Sequence, residues 1–364
     1  MKILYDHQAF MQIYGGISRS YVELLKHFSK DVEPKIAIKY SQNIYIKEIL
    51  PKIHYPLGKL RIPYKHRLVQ KINYKYACNI LQNFDYEIFH ATFDDPYFIK
   101  YVRTPYIITV HDLIPEQEPQ NWSPFWLKNR KNIFMHATHI VAVSETTKKE
   151  LLKYYPEISE QKVSVIYHGY ELSQIKNTKK NNFGKYILYI GNRNNEYKNF
   201  KNFIKATSLL LKKYDDLKIV CTGNKFTKQE KKYLKELGVY RKVISKRFND
   251  KELYNLYQNA LLFVFPSLKE GFGIPILEAW ANKCPIALSN IEIFHEISDD
   301  AAIYFDPLDI EDIRNAIEKI IQNENLRINL IKKGYERVKK FNWFDSANKL
   351  ENIYKMAINK NSSD

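Results

Sequence analysis

Cysteine is scarce in this chain of 364 residues, and long apolar runs are missing. The three cysteines, Cys78, Cys221 and Cys284, lie far apart, each within or beside an apolar segment. This spacing argues against a disulfide framework or a cysteine metal cluster and favours small core residues in a reducing cytosol. No run of about 18 apolar residues occurs, so we expect no membrane-spanning helix. The first residues show no secretory signal, which predicts a cytoplasmic location.

Two glycine motifs are also missing. Without Gly-x-Gly-x-x-Gly at the start of a domain, a nicotinamide or flavin enzyme is disfavoured, and without Gly-x-Ser-x-Gly so is a serine hydrolase. The histidines never pair with cysteine or glutamate at ligand spacing, so we expect neither a metal site nor a cofactor. The few glycines that do follow predicted strands mark the edge where open α/β sheets bind ligands. They are Gly15, Gly16, Gly191, Gly223, Gly271 and Gly273.

Acidic residues are nearly absent from one segment of a chain whose net charge is +17. Between residues 35 and 80, Glu48 is the one carboxylate among ten basic side chains. An AT-rich genome that inflates lysine is one explanation for the charge. The other is an anionic partner, such as nucleic acid, a phosphate-bearing substrate or a membrane. Codon bias would not empty one segment of carboxylates, so residues 35–80 predict peripheral contact with the inner face of the cytoplasmic membrane.

Short apolar runs alternate with helical patterns along the whole chain. This alternation predicts parallel sheets with helices on both faces, and the length fits two domains. Polar residues 173–183 interrupt it and predict a linker between a first domain, 1–172, and a second, 184–344. One predicted helix has apolar residues at four-residue spacing, with Lys71 and Lys75 on another face. Its apolar positions are Leu68, Ile72, Tyr76 and Ile80. It is typical either of a helix packed on its own sheet or of one lying on a membrane.

The most informative segment is Lys-Glu-Gly-Phe-Gly-Ile-Pro-Ile-Leu-Glu, residues 269–278. A buried strand is predicted before it and a helix from Ile274 to Ala281. Glu270 would lie on the connecting loop, and Glu278 about two turns into the helix. The intervening glycines let backbone N–H groups at a helix N-terminus approach a phosphate. Two carboxylates around an anion-binding turn suit a ligand with hydroxyls and a diphosphate, which is a sugar nucleotide.

Other candidates follow predicted strands. Arg193 and Lys198, just after Gly191, could clamp a diphosphate or be two solvated loop cations. Gly15 and Gly16 could bring backbone N–H groups to a cleft floor or form a plain tight turn. His111 and Asp112 end a strand, where a histidine could act on a hydroxyl, although neighbours on a strand face opposite ways and do not form a dyad. His90 ends another strand and is more typical of a structural residue.

Taken together, the paired glutamates, the Gly-Asn-Arg…Lys-Asn loop and the Gly-Gly loop resemble family 4 of the glycosyltransferases. The likeness covers nearly the whole chain and is strongest from Phe265 to Pro285. Residues 141–145, Val-Ala-Val-Ser-Glu, and 165–169, Val-Ile-Tyr-His-Gly, support it. The resemblance implies a retaining enzyme of the GT-B fold. In this fold two Rossmann-like domains face a cleft, and a last helix, within 345–364, crosses back to the first domain.

The resemblance also implies roles for individual residues. Glu270 would hold the hydroxyls of the donor sugar, Glu278 the ribose, and Arg193 with Lys198 the leaving diphosphate. The implied catalytic group is His111, Arg193, Lys198 and Glu270. The implied donor site is Gly16, Gly191, Arg193, Lys198, Arg247, Phe248, Glu270, Gly271, Phe272, Gly273, Ile274 and Glu278. The implied acceptor side is Gly15, Gly16, His111 and Asp112.

This sequence departs from the family pattern in three places. Lys283 stands where the family usually has glycine, so we expect that turn to differ. Arg193 lies one residue later than the arginine of many relatives, although Lys198 keeps its spacing from Gly191. His295-Glu296-Ile297 replaces a more common Pro-Glu-Val.

These observations predict a metal-independent, retaining hexosyltransferase of surface-polysaccharide synthesis. It would move a hexose, mannose first, from a nucleotide diphosphate sugar to a saccharide or lipid-linked saccharide. A sugar-nucleotide epimerase or hydrolase on the same fold is the alternative within enzymes, and it would consume donor without acceptor. A basic nucleic-acid-binding protein is the alternative from another class. That alternative lacks a recognisable binding motif, so we expect no nucleic-acid partner. The sequence leaves the oligomeric state open.

Overall fold

The structure is a computed structural model that describes residues 1–56, 64–171 and 182–361. The chain forms two compact units. The first combines Met1–Gly169 with Asn342–Asp364, and the second is Tyr170–Phe341. Residues 173–181 of the predicted linker lie outside the described residues, as do Lys59 and Arg61 of the basic segment.

The first unit is built on a parallel sheet of short, mostly buried strands. Its strands, in chain order, are β1 (Lys2–Tyr5), β2 (Glu33–Ile36), β3 (Ile88–Ala91), β4 (Tyr106–Val110), β5 (His139–Ala142) and β6 (Val163–Val165). They lie side by side in the order β2-β1-β3-β4-β5-β6. The connecting helices are α1 (Gly16–His27), α2 (Lys65–Asn83), α3 (Ile114–Gln117), α4 (Pro124–His136) and α5 (Glu145–Tyr154). Central strands covered on both faces explain the near-continuous apolar runs in the sequence.

The second unit repeats this plan with its own parallel sheet, in the order β12-β11-β10-β7-β8-β9. Its strands are β7 (Lys185–Tyr189), β8 (Leu217–Thr222), β9 (Val243–Lys246), β10 (Leu262–Phe265), β11 (Ile286–Ser289) and β12 (Ile303–Phe305). Its helices are α6 (Phe200–Lys213), α7 (Lys228–Glu236), α8 (Asp250–Asn259), α9 (Ile274–Ala281), α10 (Glu292–Ser298), α11 (Ile310–Gln322) and α12 (Glu324–Val338). Two doubly wound α/β domains, as expected, are therefore confirmed.

The last helix, α13 (Trp343–Asn361), packs on the first unit, so the expected return of the chain is confirmed. Buried polar contacts hold it there. The Tyr354 hydroxyl lies 2.6 Å from His90 Nδ1 and also contacts the hydroxyl of Tyr5. The Glu351 carboxylate accepts hydrogen bonds from the N–H and hydroxyl of Ser29. Burial lowers the pKa of His90 to about 3, so its neutral ring acts as a structural anchor for this helix.

The buried face of α2 differs from the predicted one by one residue. Its buried positions are Val69, Asn73, Ala77 and Leu81. Leu68, which the pattern placed inside, is 58% exposed. The physical reason is the amide of Asn73, which accepts hydrogen bonds from two backbone N–H groups, at Lys39 and Tyr40, and donates to the Tyr40 carbonyl. Satisfying these backbone groups fixes the rotation of the helix, which apolar spacing alone cannot reveal.

Strand β2 also begins earlier than its apolar residues suggest. It pairs with β1 from Glu33 opposite Lys2, two residues before the run Lys-Ile-Ala-Ile at residues 35–38. Because β2 is an edge strand, Pro34 can sit in it without removing a ladder hydrogen bond.

Candidate active site

The loop after β10 carries the first of the paired glutamates. It runs from Pro266 to Gly273. The backbone at Gly273 takes a φ of +101°, which favours glycine. Helix α9 starts at the next residue and has a proline in its first turn. The buried Ser267 hydroxyl in this loop has no hydrogen-bond partner among the described residues. Glu270 therefore lies on a tight loop that leads into the N-terminus of α9, the position that the sequence predicts.

Lys198 reaches this loop from the end of β7. The Leu268 N–H donates to the Tyr197 carbonyl at 2.7 Å, which joins the two loops. Lys198 Nζ then lies 2.5 Å from Glu270 Oε1, with the two side chains 16% and 12% exposed. Gly191 lies against the same lysine, because an added Cβ would come 3.5 Å from Lys198 Cδ. The structure thus brings together three residues of the predicted donor site.

Arg193 points to different partners. Its Nε donates to Glu230 Oε1 at 2.7 Å, and its two Nη atoms donate to the carbonyls of Thr222 and Asn224. Its guanidinium also lies 4.8 Å from the centre of the Phe226 ring, and its side chain is 6% exposed. Burial opposes ionisation of Glu230, but hydrogen bonds from Thr227 and Arg193 outweigh it and lower the pKa of the carboxyl. Arg193 is therefore held by Glu230 and two backbone carbonyls, whereas Lys198 pairs with Glu270.

The second glutamate, Glu278, is buried in α9 at 6% exposure. Its Oε2 accepts a hydrogen bond of 3.0 Å from the Tyr257 hydroxyl, which comes from α8. Burial, followed by the nearby Glu278 carboxylate, raises the pKa of Tyr257, so the hydroxyl stays a donor. Tyr257 could not be found from the sequence, since a tyrosine in an amphipathic helix is typical of a core residue.

Arg247 and Phe248 follow β9. Arg247 is exposed, and its Nε donates to the side chain of Asn224 at 2.7 Å, while the Asn224 carbonyl accepts from Arg193. The Phe248 ring lies edge-on to that of Phe183, with centroids 6.3 Å apart. Asn224 therefore links the two arginines, and the sequence offered Gly223 as the only hint of this turn.

In the first unit, α1 begins at Gly16, directly after Gly15.

His111, after β4, stacks on His168 with centroids 5.9 Å apart and rings 12° from parallel. Both rings line a small cavity of about 20 Å³, and the buried Nε2 of His111 has no hydrogen-bond partner among the described residues. Burial, then the neighbouring His168, lowers the pKa of His111, and burial lowers that of His168 to about 4. A neutral His111 can either donate or accept a hydrogen bond.

Asp112 bonds to the start of α3 and to α4. Its Oδ1 accepts from the Ile114 N–H at the start of α3, and its carbonyl accepts from Arg130 at 2.5 Å. The buried Arg130 also pairs with Asp94 and, at 2.6 Å, with Glu116. Asp112 and Arg130 thus fix the loop that follows His111.

Within residues 1–56, 64–171 and 182–361, no three histidine, cysteine or acidic side chains gather as metal ligands would. No helix in the same ranges has the length and hydropathy needed to cross a bilayer.

Two family models match consecutive parts of the chain. The model described as Glycosyltransferase Family 4 matches residues 14–174, and the model described as Glycosyl transferases group 1 matches residues 172–337. Together they cover both domains. The chain belongs to these glycosyltransferases.

Curated relatives agree with this membership. The O-antigen chain mannosyltransferase RfbU of Salmonella typhimurium LT2 is 33% identical over 221 residues, which cover 59% of this chain and 60% of RfbU. The serotype-specific mannosyltransferase WbdA of Escherichia coli is 27% identical over 66% of this chain and 32% of its own length. The matched regions thus span less than two thirds of these relatives.

Solved structures share the fold of this glycosyltransferase chain. Anabaena HepE, solved with UDP and glucose, superposes with a TM-score of 0.77 at 15% identity and covers 98% of this chain and 99% of HepE. The sucrose-phosphate synthase of Thermosynechococcus elongatus gives a TM-score of 0.71 at 16% identity, covering 98% of each chain. The GT-B fold expected from the sequence is therefore confirmed.

Proposed function

We propose that the protein is a retaining hexosyltransferase that uses a nucleotide diphosphate sugar, with mannose as the first candidate sugar. The acceptor is a saccharide or a lipid-linked saccharide in bacterial surface-polysaccharide synthesis. The mannosyltransferase names of RfbU and WbdA, and the UDP and glucose bound to HepE, support this proposal. The observation that carries it is the contact between Lys198 and Glu270 beside the turn that starts α9.

The chemistry follows from this arrangement. Glu270 accepts hydrogen bonds from sugar hydroxyls, and the N–H groups at the start of α9 with Lys198 stabilise negative charge on the departing diphosphate. Glu278 accepts from the ribose hydroxyls. We assign no carboxylate as nucleophile, so the acceptor attacks on the face that the diphosphate leaves. A diphosphate oxygen takes the acceptor proton as the new glycosidic bond forms.

Product analysis tests this reaction. Incubation with GDP-mannose, and in parallel with UDP-hexoses, should form a glycosidic product only when a saccharide acceptor is present. NMR of the product should show that the anomeric configuration is kept. The rate should persist in excess EDTA, because Lys198 stabilises the leaving diphosphate in place of a metal ion. Donor consumption without an acceptor would instead indicate a hydrolase or epimerase.

We further propose that the basic segment docks the first unit on an anionic membrane. Lys71 and Lys75 lie exposed on α2, and the nearby Leu68 and Tyr64 are 58% and 74% exposed. Exposed apolar side chains beside lysines suit the interface of an anionic bilayer. The segment therefore has an outward face of the required chemistry.

Sedimentation with vesicles tests this docking. The protein should pellet with phosphatidylglycerol vesicles but not with neutral ones, and changing Lys71 and Lys75 to Glu should release it. Lys201 and Lys205, also exposed and four residues apart on α6, provide the matched control pair. Equal recovery with both vesicle types would leave codon bias as the explanation of the charge.

A further inference from the structure

Arg247 lies at the carboxyl edge of the second sheet, directly after β9, and its side chain is exposed. Its Nε is already engaged, because it donates to Asn224 Oδ1 at 2.7 Å. Within residues 1–56, 64–171 and 182–361, neither of its Nη atoms makes a hydrogen bond. The outer N–H groups of Arg247 therefore form a flat, charged fork of donors that is open to a ligand.

The turn after β8 fixes the direction of this fork. The carbonyl of Asn224 accepts hydrogen bonds from Arg193 Nη2 at 2.6 Å and from the hydroxyl of Ser245, on β9, at 2.7 Å. The side-chain oxygen of the same asparagine then receives Arg247. Because Asn224 is itself held in place, little ordering of the arginine remains when a ligand binds.

The charges next to Arg247 are paired with other groups. Lys246 Nζ lies 3.5 Å from Glu252 Oε1, and Glu252 Oε2 accepts a hydrogen bond from the Asn249 N–H at the start of α8. Across the part of the chain that the structure describes, no carboxylate pairs with Arg247. The charge of this guanidinium is thus left for an acceptor outside the protein.

The nucleotide proposed for the second unit has its base near this edge. Lys198 and Arg247 follow β7 and β9, which are two strands apart, so about 10 Å separates the ends of these strands. Glu278, the proposed acceptor for the ribose, bonds to Tyr257 of α8, and this helix starts at the third residue after Arg247. A ribose at Glu278 lies beside α8, and a base that continues along this helix reaches the loop that carries Arg247.

We propose that Arg247 recognises a guanine base in the donor, with Asn224 as its positioning residue. Guanine presents two acceptors, O6 and N7, on one edge, and the Nη N–H groups bond to both at once. Adenine presents a donor beside its N7, and uracil offers O4 alone, so neither base matches the fork. The assignment rests on the proposed function and deepens it, because it selects GDP-sugars among the nucleotide diphosphate sugars.

Titration calorimetry on the whole protein tests this recognition without requiring turnover. The wild type should bind GDP about tenfold more tightly than UDP, ADP or 7-deaza-GDP, in which carbon replaces N7. Arg247→Ala should lose about tenfold in GDP affinity, keep its UDP affinity and no longer distinguish GDP from 7-deaza-GDP. Asn224→Ala should show a smaller loss of the same kind, since the fork remains but is less well oriented.

Arg241→Ala is the matched control, because Arg241 is also exposed but precedes β9, at the opposite edge of the sheet. Its affinity for GDP should equal that of the wild type. Thermal unfolding midpoints check that all variants are folded, and the exposed position of Arg247 makes its truncation mild.

The outcomes separate guanine recognition from the proposed function. Equal losses of GDP and UDP affinity in Arg247→Ala would indicate a phosphate contact and overturn guanine recognition alone. Equal GDP affinity in Arg247→Ala and Arg241→Ala would also overturn it, as would tighter binding of UDP or ADP than of GDP by the wild type. Failure of the wild type to bind any nucleotide would remove both proposals.

Discussion

Lys198 Nζ and Glu270 Oε1 are 2.5 Å apart although 72 residues separate them in the chain. The contact joins the loop after β7 to the loop after β10, two neighbouring strands whose carboxyl ends lie at the same edge of the sheet. The pair places a cation and a hydrogen-bond acceptor side by side in the candidate donor site before any ligand binds. Such preorganisation lowers the cost of stabilising charge on a leaving group.

Lys198→Ala should lower turnover by about 10²–10³, because it removes a positioned cation from the leaving diphosphate. The thermal unfolding midpoint should also fall, since Glu270 is only 12% exposed and loses its cation. Initial rates with donor in excess measure the effect. Lys201→Ala, on the exposed face of the next helix, is the control, and a Lys198→Ala enzyme as fast as this control would take Lys198 out of the mechanism.

Arg193→Ala should lower both turnover and thermal stability. Its guanidinium bonds to Glu230 and to two carbonyls, so the change leaves buried acceptors unsatisfied as well as removing a cation near the donor. Turnover should fall by about 10²–10³. Glu230→Gln separates the two effects because it weakens the ion pair but keeps the guanidinium. Normal turnover in Arg193→Ala would exclude a catalytic role.

Glu278→Gln should weaken nucleotide binding about 10- to 100-fold, because a hydrogen bond to a charged acceptor is lost. Tyr257→Phe should have a smaller effect in the same direction, since it removes the hydroxyl that holds Glu278. Titration calorimetry with GDP and UDP measures both. Wild-type affinity in Glu278→Gln would argue against contact with the ribose.

Lys283→Gly should stabilise the second unit by about 0.5–1 kcal/mol. Lys283 has a φ of +56°, and the N–H groups of Lys283 and Cys284 donate to the carbonyls of Trp280 and Ala279. This is the turn that ends α9 with a left-handed residue, normally glycine. Lys283→Ala, which keeps the strain, serves as the comparison. A lower unfolding midpoint for Lys283→Gly than for Lys283→Ala would contradict the strain argument.

The same turn shows one limit of the sequence analysis. Lysine in place of the usual glycine suggested a different turn, and this expectation was wrong, because Lys283 adopts the conformation that glycine would. Hydrogen bonds to the helix end and burial of the neighbouring Cys284 outweigh the strain of one residue.

The alternation of apolar runs predicted two parallel sheets, and α9 was predicted with its observed bounds, Ile274–Ala281. Short segments without a repeating pattern escaped it, such as β12 and α10. The predicted rotation of α2 was wrong because a buried amide, Asn73, decided it. The spacing of apolar residues does not show which polar groups make tertiary contacts.

Some residues of the candidate site could likewise be predicted from the sequence, and others could not. Glu270, Lys198 and the turn before α9 could be found because glycine and charge occur together after predicted strands. The partners of Arg193 and Glu278 could not, because Glu230, Asn224 and Tyr257 are ordinary surface or core residues until the fold brings them close.

The central claim is that the second unit holds a nucleotide diphosphate sugar through Lys198, Glu270 and Glu278. Thermal shift with a panel of GDP-, UDP- and ADP-sugars on wild type, Lys198→Ala and Glu278→Gln tests it most directly. The account predicts that one nucleotide series, GDP-mannose first, raises the wild-type midpoint and raises that of each variant much less. No shift with any donor, or equal shifts in all three proteins, would contradict it.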